Sequence, residues 1–150
     1  MKKQILGVLL LAACGGDSSG PDSTIPAQLV AEWVAEPACA PPCAFTIRWA
    51  ENPTIGLEAI TALGLTVRVR VTADGRFTRS GTGEAAEGTV RLADGALVVT
   101  DTRGVVDTID YEIQGEYLHL DFRREYVELD FDSDGTADPA RVSGVFRKRP

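Results

Sequence analysis

The alternation of apolar and polar residues between Leu65 and Thr72 sets the tightest limit on the fold of this chain. Odd-numbered positions in this stretch are leucine or valine, and even-numbered positions are threonine or arginine. A period of two with β-branched side chains indicates a strand with one buried face. Asp74-Gly75 follows, and Asp-Gly supplies the positive φ angles that a tight hairpin requires. The stretch therefore predicts one arm of an antiparallel hairpin.

Similar short alternating segments recur about every ten residues and predict eight to nine strands along the chain. Further hairpin turns are predicted at Asp94-Gly95 and at residues 114–116. Residues 57–63 are consistent with one helical turn or a packed loop, and they are the only plausible helix among residues 14–150. The pattern predicts an all-β fold, an antiparallel meander that forms a barrel, with a β-sandwich as the alternative. Closure is favoured because an open meander would leave two unpaired edges.

The first fourteen residues have the layout of an export signal. Lys2 and Lys3 precede an apolar run at residues 5–11, and Leu11-Ala12-Ala13-Cys14 follows. This arrangement resembles the lipobox of a bacterial lipoprotein, which implies cleavage before Cys14 and a lipid on its sulfur. An ordinary secretory signal is the alternative. The apolar run is much shorter than the roughly 20 residues of a transmembrane helix.

The signal divides the chain into three predicted parts. Residues 1–13 form the signal peptide, residues 14–26 form the lipidated Cys14 with a flexible polar tether, and residues 27–150 form the folded domain. In bacteria with two membranes, Asp after the lipid-bearing cysteine holds a lipoprotein at the inner membrane. Gly15 occupies that position here, so the resemblance implies lipid anchoring at the outer membrane, on its periplasmic or surface side.

The charge balance argues against nucleic-acid binding. The net charge is −7, and removal of Lys2 and Lys3 with the signal would take it to −9. Phosphate binding is driven by Lys and Arg residues that release counterions. A chain this acidic is also a poor binder of anionic lipid surfaces, so membrane attachment is expected through the N-terminal lipid. Any protein partner in the cell envelope is left unidentified.

Cys39 and Cys43 are the two cysteines other than Cys14. An exported protein leaves the reducing cytosol, so a disulfide between them is expected. A metal site would need more ligands than these two thiols and His119 supply. The spacing also differs from the Cys-x-x-Cys of redox pairs.

Several segments together resemble the small lipocalin-like lipoproteins of bacteria. They are Trp33 in the first strand and residues 63–67, 73–78, 111–118 and 145–147. The resemblance covers nearly all of the chain after the signal and implies a lipocalin-like barrel. Ala31 stands where lipocalins carry the glycine of Gly-x-Trp, and the arginine that packs over this tryptophan corresponds to Arg147, Arg149 or neither. The resemblance implies no single ligand.

The loop from Asp130 to Asp138 matches the first nine positions of a calcium-binding loop. Asp residues occupy positions 1, 3, 5 and 9, and Gly135 occupies position 6. Alternating carboxylates of this kind surround hard cations. The predicted structural calcium ligands are Asp130, Asp132, Asp134, the Thr136 carbonyl and Asp138. Position 12 is Arg141 rather than the usual Glu, and a solvated hairpin turn is the alternative.

The apolar face of the strands provides the candidate ligand-binding residues. An eight-stranded barrel either fills its interior or leaves room for one small ligand. The predicted lining residues are Trp33, Phe45, Trp49, Val67, Val69, Ile109, Tyr111, Leu120 and Phe146. Arginines at positions 48, 68, 70 and 91 are expected on the outer face, where they pair with acidic residues. The alternative is an inverted pleat that directs them into a cavity.

Two functions follow from these features, and neither requires catalysis. The first is an exported, lipid-anchored barrel that binds a small apolar or amphipathic ligand. The second is a structural or interaction lipoprotein with a filled core, stabilised by calcium. No catalytic motif accompanies His119, which alternates with apolar Leu118 and Leu120 and is expected on the polar face. We therefore predict no enzyme activity and no cofactor apart from structural calcium.

Overall fold

The computed structural model describes residues 24–39 and 41–150, and this part of the chain forms an all-β barrel. The strands are β1 (Ala31–Ala35), β2 (Ala44–Trp49), β3 (Gly56–Glu58), β4 (Val67–Val71), β5 (Arg76–Gly81), β6 (Ala86–Ala93), β7 (Ala96–Asp101), β8 (Val106–Gln114), β9 (Tyr117–Phe122), β10 (Tyr126–Leu129) and β11 (Asp138–Lys148). A short helix, α1 (Ala59–Leu63), and a 3-10 turn (Pro37–Cys39) lie between strands.

Eight of the strands in the described ranges close into a ring. Its order is β1, β4, β5, β6, β7, β8, β9 and β11, and β11 returns to β1. All neighbours in the ring are antiparallel. The predicted antiparallel meander closed as a barrel is therefore confirmed, and the sandwich alternative is not adopted. The architecture is consistent with a lipocalin-like fold.

Strands β2, β3 and β10 are additions to this ring. β2 continues along the edge of β11 beyond its contact with β1, and β3 pairs with the other edge of β2. β10 pairs with the start of β11 next to β9. These additions explain why β11, with eleven residues, is longer than any ring strand it contacts. The chain between β1 and β4 thus leaves the ring and returns through α1.

The hairpin turns have the backbone geometry that the sequence predicts. At the turn between β6 and β7, Asp94 and Gly95 have φ angles of 50° and 75°. These positive angles match the twist of the flanking strands. The residue pairs of β6 and β7 stay in register along the hairpin, so the alternation of the sequence becomes alternation between the inside and the outside of the barrel.

The core occupies the end of the barrel where the chain enters β1. Trp33 and Leu29 are fully buried there, and Phe146 is 1 % exposed. Ile25, within the predicted tether of residues 14–26, is also buried in this core. Leu29 donates a hydrogen bond to the Pro26 carbonyl at 2.9 Å, which folds the entering segment into a turn across the barrel end. The entering segment therefore acts as a plug.

A disulfide joins Cys39 and Cys43, as the sequence predicts, and their Cα atoms are 5.5 Å apart. Cys43 is buried. The bridge holds the loop between β1 and β2 close to β1, since both sulfurs lie 3.8 Å from the Val34 carbonyl oxygen. It is a local restraint, because its partners are only four positions apart.

Candidate functional site

The barrel contains a cavity of about 460 Å³. Its walls are the inward-facing residues of β4 to β9, which include Val69, Val71, Val90, Leu97, Ile109 and Leu120. The strand registers place these side chains on one face, with Val69 opposite Trp33 and Leu97 opposite Ile109. The apolar wall is the direct result of period-two alternation in strands that surround a common interior.

The cavity is closed at one end and open at the other. Leu29 of the plug forms its floor, and Ile25 lies beside Gly75 in the turn between β4 and β5. Residues from the loops after β5, β7 and β9 surround the opposite end. Because antiparallel strands alternate in direction, these three loops and the entry of the chain lie at opposite ends of the barrel. The mouth therefore faces away from the N-terminal segment.

Charged side chains form the rim of this mouth: Arg79, Glu84, Asp101, Arg103, Asp107 and Arg124. Arg103 binds two of the acidic groups, with Nη2 2.8 Å from Asp101 Oδ2 and Nη1 3.0 Å from Glu84 Oε1. The Val105 backbone N–H and Arg103 together lower the pKa of Asp101, despite its partial desolvation. The hydrogen bond with Asp101 in turn raises the pKa of Arg103. Arg103 is thus shared between two carboxylates, and these three residues together keep one negative charge.

Asp107 and Arg124 form the second part of the rim. Arg124 Nη1 lies 3.7 Å from Asp107 Oδ1, which is an ion pair but too long for a hydrogen bond. The guanidinium of Arg124 also lies over the Tyr126 ring, 5.5 Å from its centroid. Tyr126 in turn packs edge-on against Phe122 of the cavity wall. This side of the rim therefore combines an aromatic surface with a loosely paired carboxylate.

Three of the nine predicted lining residues line the cavity: Val69, Ile109 and Leu120. Trp33, Val67 and Phe146 belong to the packed core, and Phe45 and Tyr111 lie partly buried against it. Trp49 lies outside that core cluster, where its ring stacks on Phe131 with the centroids 6.3 Å apart. The interior is thus filled around Trp33 and Phe146, and open between β4 and β9.

Sequence reasoning missed the charged rim as part of the site. A signal was present, since Arg79 is two residues beyond inward-facing Phe77 and Asp107 is two residues before Ile109. The inverted-pleat alternative had placed arginines 48, 68, 70 and 91 in a cavity, and none of these lines the one described here. The rim uses other arginines: Arg79 continues the inward alternation of β5, and Arg103 and Arg124 lie in the loops after β7 and β9.

His119 lies on the outer face of the barrel, as its alternation with leucines predicts. It is partly buried, and its register partners are Glu112 on β8 and Val145 on β11. Asp110 and Asp121 are nearby on the same outer surface, where Asp110 pairs with Arg123 at 2.6 Å. Among the described hydrogen bonds, none links His119 to a serine, threonine or cysteine that it would activate.

The predicted calcium loop brings three of its carboxylates together. Oxygens of Asp130, Asp132 and Asp138 all lie within 4.8 Å of one another. Asp134 is directed elsewhere, since its Oδ1 accepts a hydrogen bond from the Thr136 N–H at 2.7 Å. The geometry thus assembles three of the five predicted ligand groups around one point, and whether the loop binds calcium stays a prediction.

The acidic loop folds through its own backbone hydrogen bonds. Asp130 accepts hydrogen bonds from the Asp134 and Gly135 backbones at 3.1 and 2.8 Å. The Asp134 N–H also lowers the pKa of Asp132, but desolvation and three neighbouring carboxylates outweigh it, so this pKa is raised. Crowded carboxylates with a raised pKa gain from a cation or from the removal of one charge.

The predicted lipid attachment at Cys14 lies outside the described residues. Across residues 24–39 and 41–150, no helix has both the length and the apolar character needed to cross a membrane. Comparison with known proteins finds no match: no family, no curated protein and no solved structure is similar enough to this chain to be assigned. The candidate site therefore rests on its own geometry.

Proposed function

We propose that this protein is a lipid-anchored protein of the cell envelope that holds a small apolar or amphipathic ligand in its barrel and does not convert it. The observation that carries this proposal is the cavity of about 460 Å³, with apolar walls and a charged mouth. Ligand sites in proteins have volumes of roughly 300–1,000 Å³ and combine apolar walls with a few polar groups. The cavity has both properties.

The geometry supports ligand binding over the alternative of a structural lipoprotein with a filled core. Burial of apolar surface stabilises a folded chain, so an interior that serves only as a scaffold is expected to be packed. In this barrel the buried core continues into the cavity wall, since Val90, Leu97 and Leu118 belong to both. An apolar ligand would bury the remaining wall from water.

The proposed anchor joins the barrel at the end away from the mouth. In our proposal Cys14 carries the lipid, and the chain enters the barrel at the plug around Leu29, so the tether does not cross the mouth. If the source has two membranes, Gly15 favours the outer one. Replacement of Cys14 by Ser is expected to release the protein from the membrane fraction, and retention there would contradict the anchoring.

Ligand binding is tested with N-phenyl-1-naphthylamine, a neutral dye that becomes fluorescent in apolar surroundings. The full-length Cys14→Ser chain is titrated with the dye, alone and with a second substitution. We expect saturable binding of one dye per chain. Ala86→Trp places an indole at the mouth, since Ala86 lines the cavity, and it is expected to abolish this binding.

Glu87→Trp is the matched control, because Glu87 is the exposed neighbour of Ala86 on the same strand. It introduces the same indole on the opposite face and is expected to leave dye binding unchanged. Equal dye binding by both tryptophan variants would place the dye elsewhere. That result, or the absence of saturable binding, would contradict the proposal and favour the filled-scaffold function.

A further inference from the structure

We propose that the ligand of the cavity carries a neutral hydrogen-bond donor, such as a hydroxyl group, which binds Asp107 at the mouth while its apolar part lies on the inner wall. This inference rests on the proposed function, because it specifies the chemistry of the molecule that enters the same cavity. The structural basis is a carboxylate oxygen that the described protein groups leave without a donor.

Asp107 belongs to the inner face of β8. It is in register with Val99 of β7 and lies two positions before Ile109, and all three line the cavity. Its side chain is 21 % exposed, but the Oδ1 atom is covered by its neighbours, so a donor reaches this oxygen only when the half-exposed Arg124 side chain, 3.7 Å away, shifts aside. Among the described residues, no group donates a hydrogen bond to this oxygen. A buried acceptor without a donor is costly, so the site favours a molecule that supplies one.

The surroundings of Asp107 favour a neutral donor over a charged one. Arg124 already balances the charge of Asp107 at 3.7 Å without satisfying its hydrogen bond. An ammonium group on the ligand would be placed beside the Arg124 cation, and a carboxylate would meet the Asp107 anion. A hydroxyl group satisfies Oδ1 and adds no charge.

The remaining rim arginines, Arg79 and Arg103, do not provide a site for an anionic ligand. Arg103 is occupied by Asp101 and Glu84, so little of its charge is left for an anionic ligand. Arg79 donates to the Glu84 carbonyl at 2.7 Å and is otherwise exposed to water, which satisfies it without a ligand. Of these charged groups, Asp107 is the one whose buried atom lacks a partner among the described residues.

The test compares two isomers that differ in the donor alone. 1-Decanol and methyl nonyl ether have the same atoms, and the ether cannot donate a hydrogen bond. Each displaces N-phenyl-1-naphthylamine from the full-length Cys14→Ser chain. We expect decanol to bind about tenfold more tightly than the ether, as for a hydrogen bond to a charged group. Decylammonium and decanoate are measured alongside and are expected to bind more weakly than decanol.

Asp107→Val removes the acceptor with little change of side-chain size, and we expect the preference for decanol over the ether to fall to about one. Asp121→Val is the matched control, since Asp121 is an exposed residue outside the cavity. It is expected to keep the preference. Circular dichroism establishes that both variants fold, and the preference is the ratio of the two isomers' affinities within one variant, so a change in dye affinity does not alter it.

The outcomes separate this inference from the proposed function. Equal binding of the two isomers by the parent chain, or tightest binding of decanoate or decylammonium, would overturn the hydroxyl assignment while the cavity function stands. An unchanged preference in Asp107→Val would also overturn it. Failure of the dye to bind, or its binding to the Ala86→Trp variant, would instead overturn the cavity function on which the inference rests.

Discussion

Lys148 holds its ammonium group over the indole ring of Trp33, with Nζ 5.9 Å from the ring centroid. The two residues are also register partners, at the contact where β11 returns to β1 and closes the barrel. Trp33 is fully buried, and its Nε1 donates to the Leu29 carbonyl at 3.0 Å. The Trp33 side chain thus joins the closing strands to the plug that forms the cavity floor.

Truncation of Trp33 is therefore expected to be severely destabilising. Trp33→Ala leaves a large hole in the core and an unpaired Leu29 carbonyl, and should lower the free energy of unfolding by about 3–5 kcal/mol. Lys148→Met is the control, because it keeps the packing of the aliphatic chain and removes only the cation over the ring, at a cost of about 0.5–1 kcal/mol. Urea denaturation measures both, and similar losses in the two variants would contradict the central role of Trp33.

The strands of the barrel were predictable because their signal is local. Alternation in residues 65–72 and the Asp94-Gly95 turn act within a few residues, so they determine β4 and the β6–β7 hairpin without knowledge of the rest of the chain. Of the two alternatives for residues 57–63, the helical turn is the one that forms, as α1, whose N-terminus is capped by the Glu58 carboxylate. β3 was not predicted, since three residues give too short a pattern to recognise.

The position of the cavity was not predictable, because it depends on how distant side chains pack. Trp33 and Val69 share the same inward alternation, yet Trp33 is fully buried in the core, whereas Val69 packs at the edge of the core and lines the cavity. The residue over the tryptophan is another example. The family resemblance left Arg147, Arg149 or neither as alternatives, and the structure places Lys148, the register partner of Trp33, over the ring.

The disulfide between Cys39 and Cys43 is expected to contribute modestly to stability. It closes a very short loop, for which the chain-entropy estimate is about 2 kcal/mol. A chain with both cysteines replaced by alanine should therefore lose about 2 kcal/mol in urea denaturation, and reduction of the parent protein should have the same effect. Dye binding should be unchanged, because neither cysteine lines the cavity. A loss above 4 kcal/mol would show that the bridge stabilises more than its own loop.

Glu58 links the start of α1 to β2 through its carboxylate. Oε1 accepts hydrogen bonds from the Phe45 and Ile60 backbones at 3.0 and 3.1 Å, and Oε2 accepts from Thr61. Desolvation raises the pKa of Glu58, but these hydrogen bonds outweigh it and lower the pKa from 4.5 to about 2. Glu58→Gln should therefore lower the free energy of unfolding by about 1–2 kcal/mol at pH 7.

The pH dependence of this effect has a definite sign. A lowered pKa in the folded state means that the ionised Glu58 stabilises the fold above pH 4.5, and that this contribution is lost as the pH falls towards 2. The difference in free energy of unfolding between the parent chain and Glu58→Gln should therefore shrink as the pH falls from 4.5 towards 2. Glu51→Gln, at an exposed position, should follow the parent chain throughout. A difference that stays constant down to pH 2 would contradict the role of the charged form.

In the acidic loop, Asp132→Asn is expected to have opposite effects on thermal stability with and without calcium. Repulsion from neighbouring carboxylates contributes to the raised pKa of Asp132, so its ionised form destabilises the calcium-free fold, an effect that is absent well below pH 3.8. At pH 7, Asp132→Asn should therefore raise the melting temperature slightly in a chelator.

In millimolar calcium the melting temperature of the parent chain should rise by a few degrees, because calcium binds the folded state alone. The melting temperature of Asp132→Asn should rise less, because this variant lacks one of the three clustered carboxylates. Asp121→Asn, which removes a charge from the outer face of β9 and leaves the loop intact, should respond to calcium as the parent does. Melting curves in calcium, magnesium and chelator measure these shifts. An equal calcium response in the parent and Asp132→Asn chains would contradict a site at these carboxylates, and the loop would then be a solvated turn held by the hydrogen bonds to Asp130.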